Sequence, residues 1–158
     1  MTASATTPQP DTPLCEFIVP DSACWHQARR LRYKLFYQMH GLPESVMDDG
    51  LDAHAHHACI TEGEEVIAYG RATRQKDDWF LVTAMVVTPE RQKQGYGRRI
   101  MKGLIQKCIA DNAKGLILKS RTTAAGFYAT FGFIPRGEIF PSSITGIPHI
   151  EMILELKL

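Results

Sequence analysis

The residues best suited to chemistry in this chain lie in one short run, Gln92-Lys93-Gln94-Gly95-Tyr96-Gly97-Arg98-Arg99. Two glycines one residue apart let a ligand approach the backbone closely, because no side chain stands in the way. Arg91, Lys93, Arg98 and Arg99 surround them with positive charge. Directly afterwards Ile100, Met101, Leu104, Ile105, Cys108 and Ile109 recur at helical spacing on one face. The glycines therefore open a helix, whose first N–H groups have no partner inside it and sit at the positive end of its dipole. Such a helix start suits a pyrophosphate. Spelling excludes two familiar phosphate loops. A Walker loop requires Gly-x-x-x-x-Gly-Lys-Ser/Thr, and a dinucleotide fingerprint requires a third glycine where Ile100 stands.

Ahead of the loop, Val82, Thr83, Val86, Val87 and Thr88 form a β-branched strand that Pro89 ends. Gln92-x-x-Gly95-x-Gly97 after such a strand resembles the acyl-CoA-binding signature of the GNAT superfamily of N-acetyltransferases. The bland alternative is a glycine-bearing loop opening an ordinary surface helix. A second motif, Phe127-Tyr128-Ala129-Thr130-Phe131-Gly132-Phe133, resembles the F/L-Y-x-x-x-G-F segment at the far end of that fold. Two further stretches resemble the ElaA-like branch of small bacterial acetyltransferases. One is Arg32-Tyr33-Lys34-Leu35-Phe36 followed by Asp49-x-x-Asp52-x-x-x-x-His57, a loose match; the other is Gly146-Ile147-Pro148-His149-Ile150-Glu151-Met152.

The resemblance implies a GNAT fold: a mixed, mostly antiparallel sheet, splayed at the cofactor site, with helices on both faces. It implies acetyl-CoA as acyl donor, wedged between the central strand and the strand after the long helix. Backbone groups of Met85, Val86 and Val87 would hold the pantetheine, and one N–H among them would face the thioester oxygen. Backbone N–H groups of Gln92, Gln94, Gly95, Tyr96, Gly97 and Arg98 would hold the pyrophosphate, with charge added by the side chain of Arg98 or Lys93. Tyr128 would protonate the leaving thiolate, the alternative being a half-buried packing tyrosine. Many members place a glutamate on the central strand a few residues before Val87, but here that part reads Leu81-Val82-Thr83-Ala84. His149, Glu151, His57 and Asp52 are the remaining candidates for the general base, His149 because its ring titrates in the right range.

The expected activity is transfer of an acetyl group to a primary amine, on a small molecule or a peptide, by direct attack in a ternary complex. No cysteine sits in a motif suggesting a covalent acyl-enzyme. The absent strand carboxylate keeps a non-catalytic acyl-CoA-binding module as the alternative, and an acyl-homoserine-lactone synthase stands third. Tyr33, Phe36 and residues 42–52 and 138–147 are expected around the acceptor. Glu44, Asp48, Asp49 and Asp52 among them mildly favour a cationic acceptor.

These groups must be positioned by a chain of 158 residues, long enough to bury a sizeable core. Residues 1–13 read as a disordered tail rich in Thr, Ala, Ser and Pro, and residues 14–158 as a single domain. A net charge of +1 argues against nucleic acid as partner. No apolar run is long enough for a membrane span and no signal pattern opens the chain, so the expected location is the cytoplasm. A homodimer is compatible with this reading. Cys15, Cys24, Cys59 and Cys108 form no C-x-x-C pair and read as free thiols. His54-Ala55-His56-His57 lacks a second ligand cluster, so no metal is expected there, only a solvated loop with one buried histidine. Antiparallel strands over 14–19, 57–61 and 66–73, with a capped helix after the first, precede the central strand. A β-α-β-α-β half follows, with strands over 116–119, 133–137 and 150–158.

Overall fold

The computed structural model describes residues 13–156. The expected mixed sheet is present, with seven strands in the order β1-β2-β3-β4-β5-β7-β6. In chain order these are β1 (Glu16–Ile18), β2 (Ala55–Glu62), β3 (Glu65–Arg74), β4 (Trp79–Val87), β5 (Gly115–Arg121), β6 (Ile134–Pro141) and β7 (Pro148–Glu155). Only β4 and β5 run parallel; every other neighbouring pair is antiparallel. The last strand inserts between β5 and β6, an order that strand patterning alone does not reveal. The strand expected over 150–158 begins earlier, at Pro148, and its final two residues lie outside the described ones.

Helix α1 (Ala23–Phe36) begins where Ser22 Oγ accepts from the Trp25 N–H, an N-cap that satisfies one orphan donor. It ends at Phe36, and Gly41 closes a separate 3₁₀ turn at φ +67°. Helix α2 (Tyr96–Ala110) covers the opposite face of the sheet. Its apolar stripe, Ile100, Met101, Leu104 and Cys108, is wholly buried against Ala68, Ala72, Val82 and Leu116. Helix α3 (Ala125–Ala129) carries the tyrosine motif. Among the described residues no helix is long and apolar enough to cross a membrane. All four cysteines are free, and burial pushes the thiols of Cys59 and Cys108 up to about 12.

Two features of β4 shape the site. Tyr69 pairs with Val86 and Arg71 with Thr83, so Gly70 alone faces both Ala84 and Met85: a β-bulge. Ala84 takes φ +62°, a left-handed conformation that costs an L-residue about 1–2 kcal/mol. On the other edge, β4 pairs with β5 only from Trp79↔Gly115 to Val82↔Leu118. Beyond that point both strands continue and no longer pair. The sheet is splayed there.

Candidate active site

The gap between β4 and β5 opens into a cavity of about 430 Å³. Leu81 to Met85 of β4 and Leu118 to Arg121 of β5 form two walls. Phe36, Tyr37, Asp49 and Leu51 form a third, and Tyr128, Ser142, Ile144, Thr145 and His149 close it. A cavity of this size, part apolar with a few convergent polar groups, is the usual form of a small-molecule site.

The glycine loop lies at the far end of β4. The Gln92 side chain reaches back to donate from Nε2 to the Val87 carbonyl at 3.1 Å, and Gln94 Nε2 donates to the Glu90 carbonyl at 3.2 Å. Lys93 and Gly95 both take positive φ, +62° and +89°. This turns the chain sharply into α2, whose N-cap Gly95 offers no side-chain cap. The leading N–H groups of α2, those of Tyr96, Gly97 and Arg98, are left for a ligand. A Cβ on Gly97 would meet Phe127 and Val87 only at ordinary contact, 3.5 and 3.6 Å, so the fold does not demand glycine there.

Of the four cations expected around the loop, two are committed elsewhere. Arg91 pairs with Glu62 through two hydrogen bonds of 3.0 and 2.5 Å. Arg99 donates to the carbonyls of Leu14 and Pro13, both at 3.1 Å, and so ties the N-terminal segment to α2. Arg98 rests over the Phe131 ring with its donors unused among the described residues, and Lys93 is exposed. The pair named for added charge is the pair left free.

Met85, Tyr128 and His149 line one cavity. Val86 instead buries its side chain against the α1 side and, as the direct partner of Tyr69 two residues before the Thr88 N–H bond to the Ile67 carbonyl, turns its backbone groups to β3. Tyr128 is half-buried, edge-on to Phe127 at 5.0 Å and to Phe133 at 6.1 Å. Its hydroxyl has no hydrogen-bond partner among the described residues, and burial pushes it up to about 12. His149 donates from Nδ1 to the Ile147 carbonyl at 2.7 Å and stacks on Phe140. A carbonyl can only accept, so in the neutral ring this bond assigns the hydrogen to Nδ1 and the lone pair to Nε2.

The other base candidates are occupied. His57 is 1% exposed; its Nδ1 accepts from the Tyr69 hydroxyl at 2.6 Å and its Nε2 donates to the Asp52 carbonyl at 2.8 Å. Burial, outweighing that backbone bond and aided by Arg71 and Arg32, holds its pKa below the ordinary histidine value. Asp52 accepts from Arg71 at 2.7 Å, and Glu151 from Arg136 at 2.8 Å. Of the histidine cluster, His54 is exposed in a 3₁₀ turn and His57 is the one buried ring, as expected, but His56 and His57 lie on β2 rather than in a loop, with His56 bound to Asp111 at 2.5 Å.

Two wall features escape the sequence reading, the Ala84 bulge and Arg121, whereas Asp49 lines the wall from the segment expected around the acceptor. Arg71, 1% exposed, donates to both Asp49 and Asp52 and also to Thr83 Oγ1 at 2.9 Å. Burial opposes ionisation of Asp49, but the Arg71 hydrogen bonds and a bond from the Leu51 N–H hold its carboxyl below the usual range. The expected acceptor residue Tyr33 donates to the Leu42 carbonyl at 2.9 Å and does not reach the wall, where Tyr37 stands instead.

Comparison with known proteins agrees with this architecture. The acetyltransferase (GNAT) domain matches residues 27–156. The protein ElaA of Escherichia coli is 27% identical over 131 residues, 80% of this chain and 84% of its own. Its crystal structure superposes with a TM-score of 0.73 at 25% identity, covering 85% of this chain and 92% of that one. A fission-yeast protein, UPF0039 protein C11D3.02c of Schizosaccharomyces pombe, is 29% identical over 111 residues, covering 68% of this chain and 73% of its own. An aminoglycoside 6'-N-acetyltransferase complexed with coenzyme A shares the fold, with a TM-score of 0.74 at 13% identity over 89% of this chain and 95% of that one. With the domain matched over most of its length on a sheet of the same design, this chain belongs to the GNAT acetyltransferase family.

Proposed function

We propose that the chain is an acetyl-CoA-dependent N-acetyltransferase that acylates a primary amine by direct attack in a ternary complex. The observation that carries the reading is the continuity of three features along β4: an unpaired edge beyond Val82, a cavity holding Tyr128 and His149, and a helix start with free N–H groups. Coenzyme A bound to the similar aminoglycoside acetyltransferase supports it. The donor-rich start of α2 fits a pyrophosphate, and the unpaired β4 edge fits an extended amide-bearing arm.

Acetyl-CoA, when bound, supplies an activated acetyl thioester. Backbone groups of Met85 and Val87 orient the pantetheine; the Val87 carbonyl is taken by Gln92, which leaves its N–H, and Val86 turns its backbone to Tyr69 of β3. N–H groups of Gln94, Gly95, Tyr96, Gly97 and Arg98 hold the pyrophosphate, the Gln92 N–H being taken by the Pro89 carbonyl at 3.4 Å, with Lys93 and Arg98 side chains adding charge. His149 Nε2 takes the proton that the acceptor ammonium must lose. Tyr128, protonated at neutral pH, donates its Oη hydrogen to the departing sulfur. The two groups line one cavity, one offering an acceptor at Nε2 and the other a donor at Oη, as an acid–base pair requires.

Saturating acetyl-CoA should raise the melting temperature by mass action, and an amine panel should show CoA release. Gly97→Val keeps the fold, because the added Cβ finds room, yet its methyl groups stand over the pyrophosphate N–H groups and should abolish the shift. A melting temperature unmoved by acetyl-CoA defeats the assignment. A shift without turnover of any amine would return the chain to a non-catalytic binding module.

A further inference from the structure

The cavity carries charge that amine acetylation alone leaves unused. Lys119 and Arg121, at the end of β5, are both on its wall. Neither has a carboxylate partner among the described residues. The Arg121 guanidinium lies over the Phe36 ring, 5.2 Å from its centroid, a contact that fixes the group without consuming any of its N–H donors. The acids that suggested a cationic acceptor are spent. Glu44 and Asp48 both pair with Arg29, and Asp49, the acidic residue on the wall, shares the buried Arg71 with Asp52.

Two hydroxyls point the same way. Ser142 Oγ accepts from the N–H groups of Ile144 and Thr145, both at 3.2 Å, and Thr145 Oγ1 accepts from the Ile147 N–H at 3.3 Å. With both lone pairs of Ser142 and one of Thr145 engaged, and neither hydroxyl donating among the described residues, both keep their hydrogens for a ligand, and both line the cavity. The wall is thus rich in donors and positive charge.

We propose that the acceptor is a small amino acid, an amine with a carboxylate close by, and that Arg121 is the residue that reads the carboxylate. This rests on the acetyltransferase reading of the site. The planar fork of arginine matches a carboxylate in two parallel hydrogen bonds, which a free amine or an amide cannot form. Arg121 and His149 are direct cross-strand neighbours on β5 and β7. Such pairs have Cβ atoms about 4.5–5.5 Å apart, so one small molecule can offer its carboxylate to Arg121 and its amine to His149. A lysine within a protein chain has no carboxylate at that separation.

The test sets the proteinogenic amino acids, each beside its primary amide and its decarboxylated amine, against acetyl-CoA-loaded protein, reading CoA release and melting temperature. At least one amino acid should be turned over with kcat/KM roughly tenfold or more above both neutral counterparts. Arg121→Gln should raise the KM for that acid roughly 10- to 100-fold, leave the neutral counterparts unchanged and keep the acetyl-CoA shift. Arg121→Lys should recover part of the loss, as a point charge does without the fork. The inference is overturned if neutral amines are preferred, if the acid preference survives Arg121→Gln, or if acetyl-CoA binds and no amino acid is acylated. It is also overturned if Arg121→Gln loses the acetyl-CoA shift, since Arg121 would then serve the donor. Failure of acetyl-CoA to bind wild type is a separate result, which removes the acetyltransferase reading and this inference together.

Discussion

Tyr128 has one atom whose removal can be separated from packing. Its ring is held edge-on by Phe127 and Phe133, while its hydroxyl makes no hydrogen bond among the described residues. Tyr128→Phe should therefore leave the melting temperature and acetyl-CoA affinity near wild type. A general acid typically contributes on the order of 10²–10⁴ in rate, so kcat at saturating substrates should fall by that much. Equal kcat, with chemistry shown to limit both proteins, would make Tyr128 a packing residue. At this scale the tyrosine was legible because its motif is local, seven residues from Phe127 to Phe133. Arg121 was not, because its cavity neighbours Phe36 and His149 come from elements far along the chain, and only the folded sheet sets them beside it.

Among the elements, β4 depends most on a neighbour. Gly70 stands opposite the bulge, and a Cβ there would meet Met85 Sδ at 2.5 Å, Ile100 Cγ2 at 2.7 Å and Leu104 Cδ1 at 3.1 Å. Met85 can swing its thioether away, but Ile100 and Leu104 belong to the buried stripe of α2 and have no free space. Gly70→Ala should accordingly cost about 1–3 kcal/mol of stability, the usual penalty for overpacking. Because the displaced parts are the bulge and the first turns of α2, acetyl-CoA affinity should fall as well. Thermal melts and titration of the variant check both; full affinity at reduced stability would show that the bulge does not set the pantetheine edge. Patterning alone made β4 visible as a strand and α2 as a helix. It could not show a bulge at Ala84, whose positive φ carries no glycine or asparagine signal in the sequence.

Across the whole molecule, a buried polar network couples the segment before β2 to the sheet beneath the cavity. Arg71 clasps Asp49 and Asp52, the Asp52 carbonyl accepts from His57, and His57 accepts from Tyr69. Arg32 lies over the Tyr69 ring, and burial above all lowers its pKa. His57 is depressed below its ordinary value of 6.5, so in the unfolded chain it binds a proton that the folded chain refuses. Its contribution is therefore complete above about pH 6.5 and is lost as pH falls through the folded value. For one proton the slope is at most about 1.4 kcal/mol per pH unit. Asp49, also depressed, adds a second loss only below its ordinary value of 3.8. The melting temperature of wild type minus that of His57→Gln should shrink from pH 7 to pH 5, which cancels histidines common to both proteins. A constant difference would mean that His57 carries no linked proton.

What the sequence by itself determined is what short-range rules encode. The start of α2 at paired glycines, its buried stripe, the tyrosine motif, the free cysteines and the mixed sheet between helices all follow from neighbours within a few turns or strands. What only the tertiary structure decided is which charges remain available. Glu44, Asp48, Asp49 and Asp52 looked like an invitation to a cation, but Arg29 and Arg71 neutralise them, Arg71 from 22 residues beyond Asp49. A side chain's chemistry depends on its partner and its burial, and both are chosen by long-range packing, the register of β3 for Arg71 and the seating of α1 for Arg29, rather than by adjacent residues. The placement of β7 between β5 and β6 sets His149 beside Arg121 by the same long-range pairing.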